Sequence, residues 1–146
     1  MQNRRENVPF DPYYFEKLRQ RGAAPSTREV FEAIYRTNHW AGSTSVSGEG
    51  SSRGQTHALE AALPALLAGL GVETLLDLPC GDYGWMKAVN LPVRHYVGAD
   101  IVPELVARNQ AAYGDARHRF VVLDLTADPL PAADLLLCRD CLVHLS

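Results

Sequence analysis

The sequence predicts an α/β fold in which a parallel sheet lies between helix layers. From Glu73 onwards, short apolar runs alternate with stretches of helical periodicity, which is the pattern of strand–helix–strand units. The runs 121–123 and 135–137 have no polar alternation, which is typical of parallel strands covered on both faces. Together these observations favour a Rossmann-like architecture.

The apolar runs place about four strands in the second half of the chain. The predicted strands are 74–78, 95–100, 120–125 and 134–138. Helices at 84–90 and 103–113 connect the first three, and the second of them has Pro103 in its first turn. A longer helix at 55–70 precedes the sheet, with an apolar stripe at three- and four-residue spacing formed by Leu59, Ala62, Leu63, Leu66, Leu67 and Leu70. Pro64 is expected to kink or split that helix.

Residues 1–54 are predicted to form an N-terminal helical extension, and residues 55–146 the domain that contains the sheet. A short helix at 11–18 would carry Pro12 in its first turn, and a helix at 28–38 would be capped by Thr27. The Ser/Gly-rich segment 41–52 has two interpretations. It is either a flexible linker or a lid-like loop that orders on a ligand.

Composition places the chain among ordinary globular proteins, since 47% of its 146 residues are hydrophobic and 21% are charged. The net charge of -3 provides no global positive field, so no nucleic-acid partner is expected. No apolar run approaches the roughly twenty residues that span a bilayer, and the N-terminus lacks an apolar signal core. We therefore expect a cytoplasmic location without a membrane partner. The three cysteines, an odd number, indicate reduced thiols rather than a disulfide framework.

The fourth predicted strand lies close to Ser146, the last residue of the sequence. A fully apolar strand at the edge of a sheet would be an aggregation hazard. We therefore expect either that the chain is truncated at its C-terminus or that another chain covers this strand. A second copy, in a homo-oligomer, could do so.

The first strand and the loop after it carry the strongest functional signal. The apolar run ends in Asp77, two glycines follow at positions 81 and 84, and a second apolar run ends in Asp100. This succession is typical of a nucleoside pocket at the carboxyl edge of a parallel sheet, where the second acid accepts the ribose hydroxyls. Asp77 and Asp82 would repel a pyrophosphate but suit a cationic sulfonium and an ammonium group. S-adenosylmethionine is therefore a better ligand than a nicotinamide dinucleotide.

Residues 76–81, Leu-Asp-Leu-Pro-Cys-Gly, resemble the first motif of class I S-adenosylmethionine-dependent methyltransferases, usually Asp-x-Gly-x-Gly-x-Gly. Pro79 stands in place of the first glycine and Tyr83 in place of the third, with Gly84 one position late. More closely, the chain resembles a poorly characterised bacterial subfamily of these enzymes in the stretches 34–35 with Trp40, 45–51, 79–82, 98–101 and 138–146. The resemblance implies a seven-stranded fold, of which this chain carries about four strands in the order 3-2-1-4.

The resemblance also implies which residues hold the cofactor. Gly81, with Pro79 and Cys80, would pack under the methionine part, and Asp77 and Asp82 would meet its ammonium group or the loop amides. Asp100 would accept the ribose hydroxyls, Ile101 would pack on the adenine, and Asp124 would accept from the adenine amino group. Cys138, at the end of the fourth strand, is counted with these cofactor-binding residues. Asp140 and His144 follow that strand where the methyl acceptor lies, and they are the candidate catalytic residues.

Each assignment has a structural alternative. Asp100, Asp82 and Asp124 could cap the turns that follow them. Asp140 could pair with Arg139 or hold its loop, and His144 could be an interior histidine. The spacing of Cys138 and Cys141 also suits a zinc or redox pair, but no fourth ligand is evident and no metal is expected.

The predicted function is methyl transfer from S-adenosylmethionine to an unidentified small-molecule acceptor. The alternative is a non-catalytic cofactor-binding fragment, or a module that needs a partner chain to complete its sheet.

Overall fold

A computed structural model describes residues 11, 13–22, 24–40 and 45–145. Its helices are α1 (Tyr14–Gln20), α2 (Thr27–Thr37), α3 (Arg53–Leu70) and α4 (Pro103–Tyr113). Its strands are β1 (Thr74–Asp77), β2 (His95–Asp100), β3 (His118–Val122) and β4 (Leu135–Leu137). The strands form one parallel sheet in the order β3-β2-β1-β4, which confirms the predicted Rossmann-like α/β fold and strand order.

The strand order brings the functional loops to one edge of the sheet. The chain runs outward from β1 to β3 and then returns to pair β4 with the other side of β1. Asp77 is level with Gly98 of β2 and with Leu137 of β4, so the loops after these strands emerge side by side. In open parallel sheets, ligands bind at this reversal of strand order.

One face of the sheet is covered by helices. Leu63 and Leu67 of α3 and Val106 of α4 share a buried apolar cluster with side chains of β1, β2 and β3. At 25 cal/mol per Å² of apolar surface, full burial of one such leucine contributes about 1.5–3 kcal/mol. This cluster holds the helices against the sheet and thereby orients the strand ends.

The other face carries a second apolar cluster that includes Leu76, Val97, Ala99 and Leu123. We expected a helix layer here as well, but the segment 123–134 that connects β3 to β4 contains no helix. The segment from β3 to β4 passes over this face, where its Leu125 packs against the cluster. Leu136 remains 42% exposed, so the prediction that β4 is covered on both faces is wrong for the described residues.

Several predicted element boundaries need correction. Residues 84–90 form only a single 3-10 turn, Met86–Ala88, and not a helix. The Tyr83 ring, beside Tyr96, Tyr113 and Phe120, adds aromatic packing to the helix-covered face here. The third strand begins at His118 and ends at Val122, earlier than predicted, while helix 103–113 has the predicted bounds.

The helices before the sheet also differ in detail from the prediction. Pro64 lies inside an uninterrupted α3, which starts before the predicted domain boundary at residue 54. Of the predicted stripe, Ala62, Leu66 and Leu70 are exposed, because only one narrow side of α3 reaches the sheet. Helix α2 is capped by Ser26 rather than Thr27: the Ser26 hydroxyl accepts from the Glu29 amide while the Glu29 carboxylate accepts from the Ser26 amide. Pro12 lies outside the described residues.

Across the described parts of the chain, no helix combines the length and apolarity that crossing a bilayer requires.

The two adjacent leucines of α3 test this packing directly. Leu67 is fully buried and Leu66 is 51% exposed, although both lie mid-helix. We expect Leu67→Ala to lower the free energy of unfolding by about 2–5 kcal/mol through lost burial and a residual cavity. Leu66→Ala, the matched control with the same loss of side chain, should change it by less than about 0.5 kcal/mol. Urea unfolding measures the free energy of unfolding of both variants. Equal losses of stability would contradict the assignment of Leu67, and not Leu66, to the side of α3 that faces the sheet.

Candidate functional site

A cleft of about 1020 Å³, partly open to solvent, lies at the carboxyl edge of the sheet. It is lined by residues 77–81 after β1, 100–102 after β2, 123–125 after β3 and 139–141 after β4, and by side chains of α2 such as Phe31 and Tyr35. Of the predicted site residues, Asp77, Pro79, Cys80, Gly81, Asp100, Ile101, Asp124, Asp140 and His144 line the cleft, whereas Asp82 and Cys138 do not.

Asp100 ties the end of β2 to the glycine loop. One carboxylate oxygen accepts the Gly81 amide at 3.1 Å and the other accepts the Val102 amide at 3.1 Å. Burial raises the pKa of Asp100 to about 6, although hydrogen bonds from backbone amides act in the opposite direction. Both oxygens keep further lone pairs, so the carboxylate can hold the loop and still accept from a ligand hydroxyl.

Asp77 is buried at the end of β1, where it accepts the Tyr96 hydroxyl at 2.6 Å. Burial raises its pKa to about 7, the Tyr96 hydrogen bond lowers it, the nearby Asp100 charge raises it and Arg139 lowers it. A buried carboxyl of this kind gains from a cation that enters the cleft, because the cation stabilises its ionised form.

The loop between these acids bends at Gly81, whose φ of +55° is a left-handed conformation that suits glycine. The Asn109 side-chain amide of α4 donates to the Gly81 carbonyl at 2.7 Å and fixes the bend from below. A β-carbon at Gly81 would clash with the Ser47 side chain, so segment 45–51 lies directly on the loop. Another group therefore lies close to the Gly81 backbone, as predicted, but that group is the chain's own Ser47 side chain. Burial raises the pKa of the neighbouring Cys80 thiol well above its usual value.

Asp82 accepts from a loop amide, one of the two roles predicted for it, and does not line the cleft. Its carboxylate accepts from the Gly84 amide at 2.9 Å, which matches the structural alternative of a turn cap. Its other oxygen accepts from the Ser45 hydroxyl and the Val46 amide at 2.9 and 3.0 Å. This carboxylate therefore holds segment 45–51 and does not reach the cleft.

The third strand contributes Leu123, Asp124 and Leu125 to the cleft, beside Ile101. One carboxylate oxygen of Asp124 accepts the amide and the hydroxyl of Thr126 at 2.8 and 2.6 Å. These bonds hold the pKa of Asp124 below its usual value. Asp124 is thus the turn cap considered above and also a charged group at the apolar wall of the cleft.

Arg139 and Asp140 follow β4 on the opposite side of the cleft from Asp100. Their side chains form an ion pair at 3.1 Å, and the Arg139 guanidinium also donates to the Gly50 carbonyl at 2.7 Å. The guanidinium lies 6.0 Å from the centre of the Trp85 ring. Asp140 adopts a left-handed φ of +49°, which turns the chain so that both side chains face segment 45–51.

His144 stacks on Trp40 with ring centres 5.3 Å apart, and Phe31 meets both rings edge-on. These aromatic side chains line one part of the cleft. His144 is exposed, so it is not the interior histidine of the structural alternative, although it also lines the cleft. Phe31 of α2 was not among the predicted site residues, because its helical spacing gave only a buried face.

The cysteine pair does not form a metal site in this structure. Among the residues that the structure describes, no three His, Cys, Asp or Glu side chains are grouped to hold a metal ion. Cys141 lines the cleft, and burial raises the pKa of its thiol to about 11. Cys138 lies behind it, outside the cleft lining.

No family model and no curated protein matches this sequence. Among solved structures, human N-acetylserotonin methyltransferase in complex with SAM is similar to the chain, with 25% sequence identity and a TM-score of 0.43. The alignment covers 82% of this chain and 33% of the human protein, so the chain spans about a third of the length of that enzyme.

Asp77 makes the stability of the protein depend on pH. Its pKa is raised to about 7 in the folded state, so its stabilising contribution is complete at pH below about 4 and is lost as pH rises through 7. We expect Asp77→Asn, which cannot ionise, to gain stability over the parent by about 2–4 kcal/mol between pH 4 and 8. Urea unfolding across this range measures the difference. The control is Glu104→Gln, which also replaces a carboxyl by an amide, but on an exposed side chain of α4. The difference in unfolding free energy between this variant and the parent should not change with pH. The same constancy for Asp77→Asn would contradict the raised pKa of Asp77.

Proposed function

We propose that this protein is an S-adenosylmethionine-dependent methyltransferase that acts on a small-molecule acceptor. The observation that carries the proposal is the pair of buried carboxyls, Asp77 and Asp100, at the ends of adjacent central strands and on the wall of one cleft. Carboxyls whose pKa is raised by burial are typical of functional sites, because their hydrogen bonds offset the cost of burial only in part.

The charges of the cleft favour a cationic cofactor. Four carboxyl side chains line it, those of Asp77, Asp100, Asp124 and Asp140. Arg139 is the single lysine or arginine among the described lining residues, and Asp140 pairs with it. A pyrophosphate would be repelled here, whereas a sulfonium and an ammonium group would be attracted.

The residues present fit the cofactor part by part. Asp100 offers carboxylate oxygens to the ribose hydroxyls, and Asp77 offers a charge to the ammonium group of the methionine part. Ile101 and Leu123 provide an apolar wall for the adenine, with Asp124 beside it as an acceptor for the amino group. Gly81 lines the cleft at the bend of the loop, beside these side chains.

The cofactor supplies a methyl group on a positively charged sulfur, which is already an activated leaving group. The protein therefore has to orient the acceptor and exclude water rather than create a strong nucleophile. Asp140 and His144 also line the cleft, and we assign them to the acceptor. Either can receive a proton there when the acceptor atom must lose one.

A second candidate is a cofactor-binding module whose sheet is completed by a partner chain. The exposure of Leu136 on edge strand β4 and of Leu142 and Val143 just after it favours this candidate. Titration calorimetry with S-adenosylmethionine, methyl-transfer assays on small acceptors and light scattering separate the two. Turnover by a monomer supports the first candidate, and binding without turnover, or only in oligomers, supports the second.

We expect Asp100→Ala to weaken S-adenosylmethionine binding by at least about tenfold, roughly 1.5 kcal/mol, because charge-assisted hydrogen bonds to the ribose are lost. Titration calorimetry measures the dissociation constant. Glu73→Gln, which removes an exposed carboxylate on the opposite edge of the sheet, is the control and should bind as the parent does. An unchanged constant in Asp100→Ala would refute the ribose assignment.

Cofactor binding should also depend on pH. Asp100 and Asp77 have pKa values of about 6 and about 7, so they lose their protons between pH 5 and 8. Only the ionised carboxyls attract the cation, and we expect the affinity to rise several-fold over this range. Calorimetry at each pH tests this, and Asp77→Asn should leave only the smaller rise that comes from Asp100. Affinity that falls with rising pH would contradict the roles of both acids.

A further inference from the structure

Segment 45–51, here called the strap, crosses between the loop after β1 and the loop after β4. Apart from the 3-10 turn Glu49–Ser51 it has no regular structure. Val46, Ser47 and Ser51 of the strap line the cleft. The strap therefore forms part of the wall around the space assigned to the cofactor, and it is held by side chains at both ends.

The first end of the strap is bound firmly to the glycine loop. The Asp82 carboxylate accepts from the Ser45 hydroxyl and the Val46 amide, and the Asp82 amide donates to the Ser47 hydroxyl at 3.0 Å. The Ser47 amide donates to the Ser45 hydroxyl at 3.0 Å, and Val46 packs on the apolar cluster around Tyr35. Several hydrogen bonds and apolar burial thus act together at this end.

The second end continues through Ser52 into α3 and is joined to the loop after β4 by one side chain. The Arg139 guanidinium donates to the Gly50 carbonyl, and its ion pair with Asp140 and its position by the Trp85 ring fix its direction. Gly50 is close to the Asp140 carboxylate, and a β-carbon there would clash with it. This end depends on a single charge-assisted hydrogen bond and on the absence of a side chain at Gly50.

The difference between the two ends determines which one opens. Opening at the Asp82 end breaks three hydrogen bonds and exposes Val46, whereas opening at the Gly50 end breaks one hydrogen bond. We propose that Arg139 is a positioning residue that latches the strap over the cleft, and that release of Gly50 from Arg139 limits exchange of the cofactor. The gating step rests on the proposed function, whereas the latch itself does not.

Cleavage by a glutamate-specific protease tests the latch without any ligand. Glu49 is exposed and adjoins Gly50, but a protease needs the strap to open before it can bind the chain there. We expect Arg139→Ala to raise the rate of cleavage after Glu49 about tenfold, because the strap opens more often once one hydrogen bond from a charged group is lost. Glutamates within α2 and α3 serve as internal references for general unfolding. Arg94→Ala, which removes an exposed arginine far from the cleft, is the matched control and should cleave as the parent does.

Two further variants keep the test decisive. Gly50→Ala leaves Arg139 in place but presses a methyl group against Asp140, so it should also accelerate cleavage after Glu49. If Arg139→Ala does not fold, the cleavage rate of Gly50→Ala decides whether the latch exists. Arg139→Lys retains a donor for the Gly50 carbonyl and should restore much of the protection. Cleavage at the parental rate in folded Arg139→Ala or Gly50→Ala would overturn the latch.

Stopped-flow tryptophan fluorescence then tests gating, because Trp40 and Trp85 line the cleft. In Arg139→Ala we expect S-adenosylhomocysteine to dissociate about tenfold faster than in the parent, since an open strap no longer limits its release. Faster cleavage with an unchanged dissociation rate would overturn gating. If the parent binds neither S-adenosylmethionine nor S-adenosylhomocysteine, the proposed function fails, while the protease result still decides whether Arg139 holds the strap.

Discussion

The buried carboxylate of Asp100 is the contact on which the organisation of the cleft depends. It accepts one amide from the glycine loop and one from the start of the segment that leads to α4. A carboxylate can accept several amides at once, so one side chain ties the glycine loop to the end of β2. The Asn109 amide, the strap and the backbone hydrogen bond from the Cys80 amide to the Ala99 carbonyl add to this support.

This arrangement carries an electrostatic cost. Asp77 and Asp100 lie close enough for the charge on Asp100 to raise the pKa of Asp77, and burial raises the pKa of both. Hydrogen bonds from Tyr96 and from backbone amides offset this only in part. A positively charged ligand would stabilise the ionised carboxylates and so offset the remaining cost of burying them. For this reason the two acids favour the proposed sulfonium cofactor over a purely structural role.

The cleft is assembled from segments that are far apart in the sequence. The strap meets the first loop through Asp82 and the last loop through Arg139, and α2 supplies the aromatic wall. The parallel sheet makes this possible, because all four strands end at the same edge. A cleft with one wall held by a single arginine can be rigid at the strand ends and open elsewhere.

Local signals were sufficient to predict the strands, their parallel arrangement and helix 103–113, because apolar runs and a proline at a first turn can be recognised in the chain. Asp77, Gly81 and Asp100 could be placed at the edge of the sheet in the same way, since an acid at a strand end and a glycine bend are local features. The other features depend on contacts that form only on folding. Asp82 binds the strap because Ser45 and Val46 come within reach of it only after folding. Residues 84–90 do not form a helix. They have no apolar periodicity that would favour one, and Tyr83, just before them, packs among other aromatic rings. Asn109, Phe31 and Arg139 reach the site through contacts between distant segments, and a single sequence carries no local pattern for such contacts.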